Sequence, residues 1–229
     1  MARIREGFRG EGPGAFTPDG CAVEMYGILP VREEPDMIAL GARDGARRLL
    51  ELGCGAGRVT HALIERGWEV TAVDESPEML DRVRGAETVL STIEDLRLDE
   101  RFDVVLLGSY LVHQAEAEAR KAMLDTCRNH VAADGVVLIQ REGRDWHDEL
   151  PRINEHPRGA VRVLAADPLG NGVNAMRIEY EFDGVRWAHE FRSRPLTDSE
   201  FTEVLAESDL VLDAYLDEHR TWARVLPAS

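Results

Sequence analysis

Gly53, Gly55 and Gly57 occupy alternate positions directly after the apolar run Leu49-Leu50-Glu51-Leu52, and Asp74 closes the next apolar run 21 residues after Gly53. This pattern predicts a buried strand that turns sharply through glycine into a helix, with a carboxylate at the end of the neighbouring strand. Such a turn brings backbone N–H groups close to a ligand, and the carboxylate can accept both hydroxyls of a ribose. The residues describe half of a nucleoside-binding α/β fold. Their spacing is Gly-x-Gly-x-Gly, not the Gly-x-Gly-x-x-Gly of a dinucleotide site. The single lysine, Lys121, has Ala117 four positions before it, so the Tyr-x-x-x-Lys pair of one nicotinamide oxidoreductase class is absent.

Further reactive side chains follow the strand-like segments. Tyr110 and His113 lie just past the run Phe102–Gly108. His113, with an ordinary pKa of about 6.5, is the first candidate for a general base. Tyr110 is a candidate to pack against a bound ligand. After Val136–Gln140 come Arg141, Glu142, Asp145, Trp146 and His147, where Trp146 and His147 suggest an aromatic wall with a titratable neighbour. Tyr180, Arg186, Trp187, His189, Glu190 and Arg192 fall in a strand-like pattern that could roof a pocket. No metal-ligand spacing is visible. The three cysteines, Cys21, Cys54 and Cys127, are odd in number and scattered, which argues for reduced thiols and a cytoplasmic location.

The elements that must position these groups read as follows. Residues 1–20 look like a mobile arm, and helical segments cover Ala22–Leu29 and the stretch to Gly41. Strands and helices then alternate from Arg48 to Gln140, which predicts a parallel sheet. Ser76-Pro77-Glu78 starts one helix, expected to run to about Arg84. Arg141–Arg158 reads as a loop or lid. Ala160–Ala165, Asn174–Phe182 and Val185–Arg194 read as antiparallel strands, the last two joined at Asp183-Gly184. Thr197 and Glu200 form a capping-box pattern before a helix, and strands at Leu210–Leu216 and Thr221–Leu226 end the chain. The expected division is an N-terminal arm and helical cap at 1–44, a binding core at 45–140, a lid or antiparallel insertion at 141–195, and a helix and strands completing the core at 196–229. The 229 residues carry a net charge of −16, which disfavours a phosphate backbone and so a nucleic-acid partner. No apolar run reaches the roughly 18 residues of a membrane span, and no signal peptide is seen.

Five motifs in order then resemble a family. They are Glu51-Leu52-Gly53-Cys54-Gly55-Ala56-Gly57, Val73-Asp74-Glu75-Ser76-Pro77-Glu78-Met79-Leu80, Ile93-Glu94-Asp95-Leu96, Phe102-Asp103-Val104-Val105 and Gly135-Val136-Val137-Leu138. Together, over residues 45–140, they resemble the class I S-adenosylmethionine-dependent methyltransferases of small-molecule type. The resemblance implies a doubly wound, Rossmann-like α/β fold with a seven-stranded sheet whose last strand is antiparallel, here with an N-terminal helical cap and a small antiparallel β insertion late in the chain. It implies S-adenosyl-L-methionine as cofactor and S-adenosyl-L-homocysteine as product, with methyl transfer to O or N of a small molecule.

Carried over residue by residue, the resemblance implies that Glu51, Gly53 and Gly55 lie at the methionine end, with Cys54 and Gly57 of the same loop also in the cofactor-binding set. Asp74, with Glu75 and Met79, would meet ribose and adenine. Thr92, the Ile93 backbone or Glu94 would meet the adenine amine, many relatives having Asp where this chain has Thr92. Leu107, Gly108 and His113 would lie near the sulfonium or the acceptor, and Tyr26 would close over the methionine moiety. His113, Tyr110 and His147 are the catalytic candidates. A non-methylating enzyme that uses the sulfonium charge, or a binding protein without chemistry, shares the same motifs. Neither the acceptor nor the oligomeric state is readable.

Overall fold

A computed structural model describes residues 4–143 and 146–228. The strands are β1 (Arg9–Glu11), β2 (Arg48–Leu52), β3 (Glu69–Asp74), β4 (Glu87–Leu90), β5 (Phe102–Leu107), β6 (Val131–Gln140), β7 (Arg152–His156), β8 (Gly159–Gly170), β9 (Val173–Phe182), β10 (Val185–Ser193), β11 (Leu210–Tyr215) and β12 (Trp222–Pro227). The helices are α1 (Val23–Tyr26), α2 (Glu34–Gly41), α3 (Arg58–Glu65), α4 (Pro77–Leu80), α5 (Ala117–His130) and α6 (Asp198–Ala206), with a 3-10 turn at Leu111–His113. The chain divides into two compact units, one of Met1–Leu29 and Arg144–Pro195, the other of Pro30–Gly143 and Leu196–Ser229.

The second unit is a seven-stranded sheet in the order β11-β12-β6-β5-β2-β3-β4. Strands β4, β3, β2, β5 and β6 are parallel, while β12 runs antiparallel to both β6 and β11. Alternation along the strands explains the double winding. Leu50, Leu52, Val105, Leu107, Val137 and Ile139 pack on one face with Met123, Leu124 and Cys127 of α5 and Phe201 and Leu205 of α6. Leu49, Val104, Leu106, Val136 and Leu138 pack on the other with Ile38 of α2 and Val59 and Leu63 of α3. Parallel strands covered on both faces must be apolar at nearly every position, as these are. The capping box at α6 is present, with Thr197 Oγ1 accepting from the Glu200 N–H at 3.2 Å and the Thr197 N–H donating to the Glu200 carboxylate at 2.8 Å. Thr197→Ala is therefore expected to lower unfolding free energy by about 1 kcal/mol, read as a reduced urea midpoint at unchanged slope.

The first unit is a five-stranded antiparallel sheet in the order β1-β10-β9-β8-β7. Its apolar face holds Val163, Met176, Ile178, Tyr180, Phe182 and Trp187, which pack with Ala22 and Met25. Asp183 and Gly184 both have positive φ, as a two-residue hairpin turn requires. Several expectations change here. The N-terminal arm is not free: Arg9–Glu11 pairs with β10, and Trp187 Nε1 donates to the Pro13 carbonyl at 2.9 Å. The stretch read as a lid contains β7, an edge strand whose mixed, half-exposed residues hid it. The first helix is shorter than expected, Val23–Tyr26 instead of Ala22–Leu29, and the helix after Ser76 stops at Leu80. Among the described residues, no helix is long and apolar enough to cross a membrane.

Candidate active site

The candidate site is built at the carboxyl ends of the parallel strands, where an open α/β sheet leaves its crevice. Past β2 the chain takes left-handed backbone at all three motif glycines, with φ of +70° at Gly53, +55° at Gly55 and +81° at Gly57. An L side chain resists that conformation. Space adds a second constraint. A Cβ on Gly53 would stand 2.9 Å from Leu111 Cδ1, and one on Gly57 would stand 2.8 Å from His61 Cε1. His61 itself packs under the loop, its Nε2 accepting the Arg84 N–H at 3.0 Å.

Asp74 stitches this loop to the end of β3. Its Oδ2 accepts the Gly55 N–H at 2.8 Å and its Oδ1 accepts the Ser76 N–H at 2.9 Å. The Cys54 N–H donates to the Val73 carbonyl at 2.9 Å, and burial pushes the Cys54 thiol far up. Ser76 then caps α4 by accepting from the Met79 N–H at 3.3 Å, with Met79 buried and Glu75 half-buried beside it. Beyond β4, Thr92 Oγ1 is spent on its own turn, where it bonds Asp95 at 3.0 Å. Ile93 is buried, its carbonyl accepting from Thr126 at 2.9 Å, and Glu94 is half-buried.

Glu51 is buried in β2, where its Oε2 accepts the Thr60 hydroxyl at 2.6 Å. Burial raises its pKa to about 7, against the Thr60 bond and Arg58, while Asp74 and Glu34 add to the rise. Arg58, the first residue of α3, ion-pairs with the buried Glu34 at 2.6 Å and donates to the Pro30 carbonyl at 3.2 Å. Arg58 directly follows the last motif glycine, which is a usable sequence signal. Glu34 carried none.

At the end of β5, Leu107 is in the core, and Gly108 leads into two non-glycine residues with positive φ, Ser109 at 51° and Tyr110 at 62°. Adjacent left-handed residues of this kind store strain that the surroundings must hold, and such strain gathers at functional sites. Gln140, at the end of β6, holds this turn by accepting the Ser109 N–H at 2.9 Å. Tyr110 is half-buried; burial raises its phenol pKa, Arg32 opposes this, and the carboxylates of Glu33, Glu142 and Glu34 add to it.

His113 is buried, with Nε2 3.0 Å from the Glu142 N–H and Nδ1 3.3 Å from the Leu196 N–H. A neutral imidazole accepts at one nitrogen only, and the shorter contact assigns the lone pair to Nε2. That lone pair is taken by backbone, so the geometry speaks for a holding role and against the expected general base. His147 and Tyr26 belong to the other unit. His147 is half-buried with Nδ1 2.9 Å from Asn174 Nδ2. The Tyr26 phenol lies 3.4 Å from Cys21 Sγ, and burial followed by Cys21 raises its pKa. Tyr180, Trp187 and His189 are core residues of their sheet, His189 Nε2 lying 2.9 Å from the Asp19 carbonyl. Asp145 lies outside the described residues.

This architecture, a seven-stranded sheet with one reversed strand and a glycine loop tied to an acidic strand end, is the Rossmann-like fold that methyltransferase structures share. Residues 49–135 match the family described as a methyltransferase domain. An S-adenosylmethionine-dependent methyltransferase from Clostridium acetobutylicum ATCC 824 has a similar structure, with a TM-score of 0.69 at 15% identity, covering 89% of this chain and 94% of that one. An uncharacterized methyltransferase of Mycobacterium tuberculosis (strain ATCC 25618 / H37Rv) is 51% identical over 94 residues, 39% of each chain. The cypemycin N-terminal methyltransferase of a Streptomyces species is 34% identical over 167 residues, 64% of this chain and 66% of that protein. The chain spans about two fifths of the length of the first curated relatives it matches. The match to a methyltransferase domain thus covers residues 49–135, and the fold is shared with S-adenosylmethionine-dependent methyltransferase structures.

Proposed function

We propose that the chain transfers a methyl group from S-adenosyl-L-methionine to an amine nitrogen of a small molecule, leaving S-adenosyl-L-homocysteine. The observation that carries this reading is the pair of carboxylates, Glu33 and Glu142, acting on Tyr110 at the strained end of β5 against the Arg32 cation, with Glu34 taken up by Arg58. They suit a cationic acceptor, as does the net charge of −16. One relative is named an N-terminal methyltransferase, which agrees with it.

The residues present fit the cofactor. Asp74 stands at the strand end with both oxygens directed by backbone N–H groups, and a carboxylate oxygen accepts more than one hydrogen bond, so ribose hydroxyls can share it. The side-chain-free glycine loop lets the backbone approach a ligand. Glu51, Gly53, Cys54, Gly55 and Gly57 are the residues for the methionine end. Glu75, Met79, Thr92, Ile93 and Glu94 are those for the nucleoside, with Ile93 or Glu94 favoured over Thr92 because its hydroxyl is engaged. When bound, the cofactor supplies an electrophilic methyl on a sulfonium. Leu107 and Gly108 bring the chain to the reaction position, and Tyr110 with Glu142 orients the acceptor. An ammonium has no lone pair, so it must shed a proton to water before the nitrogen can attack in line. Position is the main requirement, since well-oriented groups about 3–3.5 Å apart react far faster than free ones.

The test is calorimetric titration with S-adenosylmethionine and NADH, followed by transfer of labelled methyl to a panel of small amines and their hydroxyl counterparts. Saturable S-adenosylmethionine binding and label in amines are expected. Label only in hydroxyl compounds would overturn the nitrogen assignment. Cofactor binding without any transfer would leave a binding protein or a non-methylating enzyme, and NADH binding alone would end the whole reading.

A further inference from the structure

We infer that His113 is a positioning residue: with Arg141 it fastens both points at which the chain passes between the seven-stranded unit and the antiparallel unit, and so holds Glu142 beside Tyr110. The inference rests on the reading above that the acceptor meets these two residues. The first unit's second stretch begins at Arg144 and ends at Pro195. Glu142, two residues before it, donates its backbone N–H to His113 Nε2 at 3.0 Å. Leu196, the first residue after it, is held by Arg141. Its carbonyl accepts from Arg141 Nη2 at 2.9 Å, and its N–H faces His113 Nδ1 at 3.3 Å.

Arg141 is itself locked. Its Nη1 donates to Tyr215 Oη at 2.9 Å and meets Asp198 at 3.2 Å, and its guanidinium lies 4.2 Å from the Phe201 ring centroid. The N–H of Arg141 donates to the Thr221 carbonyl at 2.7 Å. Both groups are almost fully buried, with 2% of His113 and 3% of Arg141 exposed. Buried groups that make several directed hydrogen bonds favour one arrangement. His113 sits three residues after Tyr110, and the His113 N–H donates to the Tyr110 carbonyl at 2.9 Å. One imidazole thereby links the strained turn after β5 to the backbone that carries the Glu142 carboxylate.

The test compares His113→Phe, which fills the space without an acceptor, with His113→Gln, whose amide oxygen can still accept the Glu142 N–H. His113→Asn, polar but too short to reach, replaces the phenylalanine variant if that one fails to fold. Three quantities are read: S-adenosylmethionine affinity by calorimetry, amide hydrogen exchange in the peptide covering 138–143, and methyl transfer to the best amine of the panel. The expected result for His113→Phe is exchange faster by about tenfold and a kcat lower by about tenfold, the scale of one lost buried hydrogen bond, with cofactor affinity held within about twofold. His113→Gln is expected to restore protection and most of kcat. Protection in His113→Phe equal to wild type overturns the inference. So does a His113→Gln variant that is fully protected yet as slow as His113→Phe, since that would mean the imidazole itself does chemistry. If the wild type methylates no amine while the exchange pattern holds, the acceptor reading fails and the fastening stands.

Discussion

Replacing Asp74 with alanine is expected to raise the dissociation constant for S-adenosylmethionine by about 10–150-fold, the range for losing charged hydrogen bonds of about 1.5–3 kcal/mol. The side chain has two duties. Toward the protein it accepts the N–H groups of Gly55 and Ser76, one on each oxygen. Toward the ligand it would accept ribose hydroxyls. The alanine variant should therefore also melt at a lower temperature without ligand, because both N–H groups lose their acceptor. Asp74→Asn separates the duties, since its carbonyl oxygen keeps one backbone bond while the charge is gone. S-adenosylhomocysteine, with the same ribose, should lose affinity in parallel. Calorimetry with both ligands checks this, and unchanged affinity in Asp74→Ala would remove Asp74 from the site.

The second large effect belongs to Glu51. Its folded pKa of about 7 exceeds the ordinary 4.5 because of burial. For a group raised in the folded state, the stabilising contribution is complete below pH 4.5 and is lost as pH rises through 7, since above that the protein holds a buried carboxylate. The difference amounts to about 3 kcal/mol. Glu51→Gln should melt about 6–12 °C above wild type at pH 8, converting that energy for a chain of this size. The gap should close toward pH 4.5. A cationic ligand end near Glu51 favours the ionised form, so wild-type cofactor affinity should increase between pH 5 and 8, with a flatter profile in Glu51→Gln. Melting scans and titrations across that range check both. A pH-independent melting gap would refute the assignment.

Which parts of this were legible before any coordinates follows from range. The glycine loop, the Asp74 strand end, the alternation from Arg48 to Gln140 and the capping box at Thr197 depend on neighbours within a few residues, and sequence carries them directly. The reversed strand β12 entered only through family resemblance, and the fold agrees with it. The arm and β7 were missed because edge strands with mixed polarity lack a period, and pairing partners far along the chain create them. His113 shows the same limit within the site. Its residue type suggested a base, whereas its Nε2 accepts the N–H of Glu142, 29 residues away. The Arg58–Glu34 pair is equally long-range, joining α3 to a segment 24 residues earlier.

The pairing of Arg9 with Glu190 has a consequence for how this molecule is made. The arm leaves the ribosome long before its partner strand, which lies about 180 residues further on. At about 5–20 residues per second, β1 waits roughly 10–40 s for β10. Meanwhile Pro30–Gly143 has emerged with all five parallel strands. The β1–β10 ladder therefore joins the earliest-made strand of the antiparallel sheet to its latest-made one, so a change beside Arg9 would act late in the assembly of that sheet.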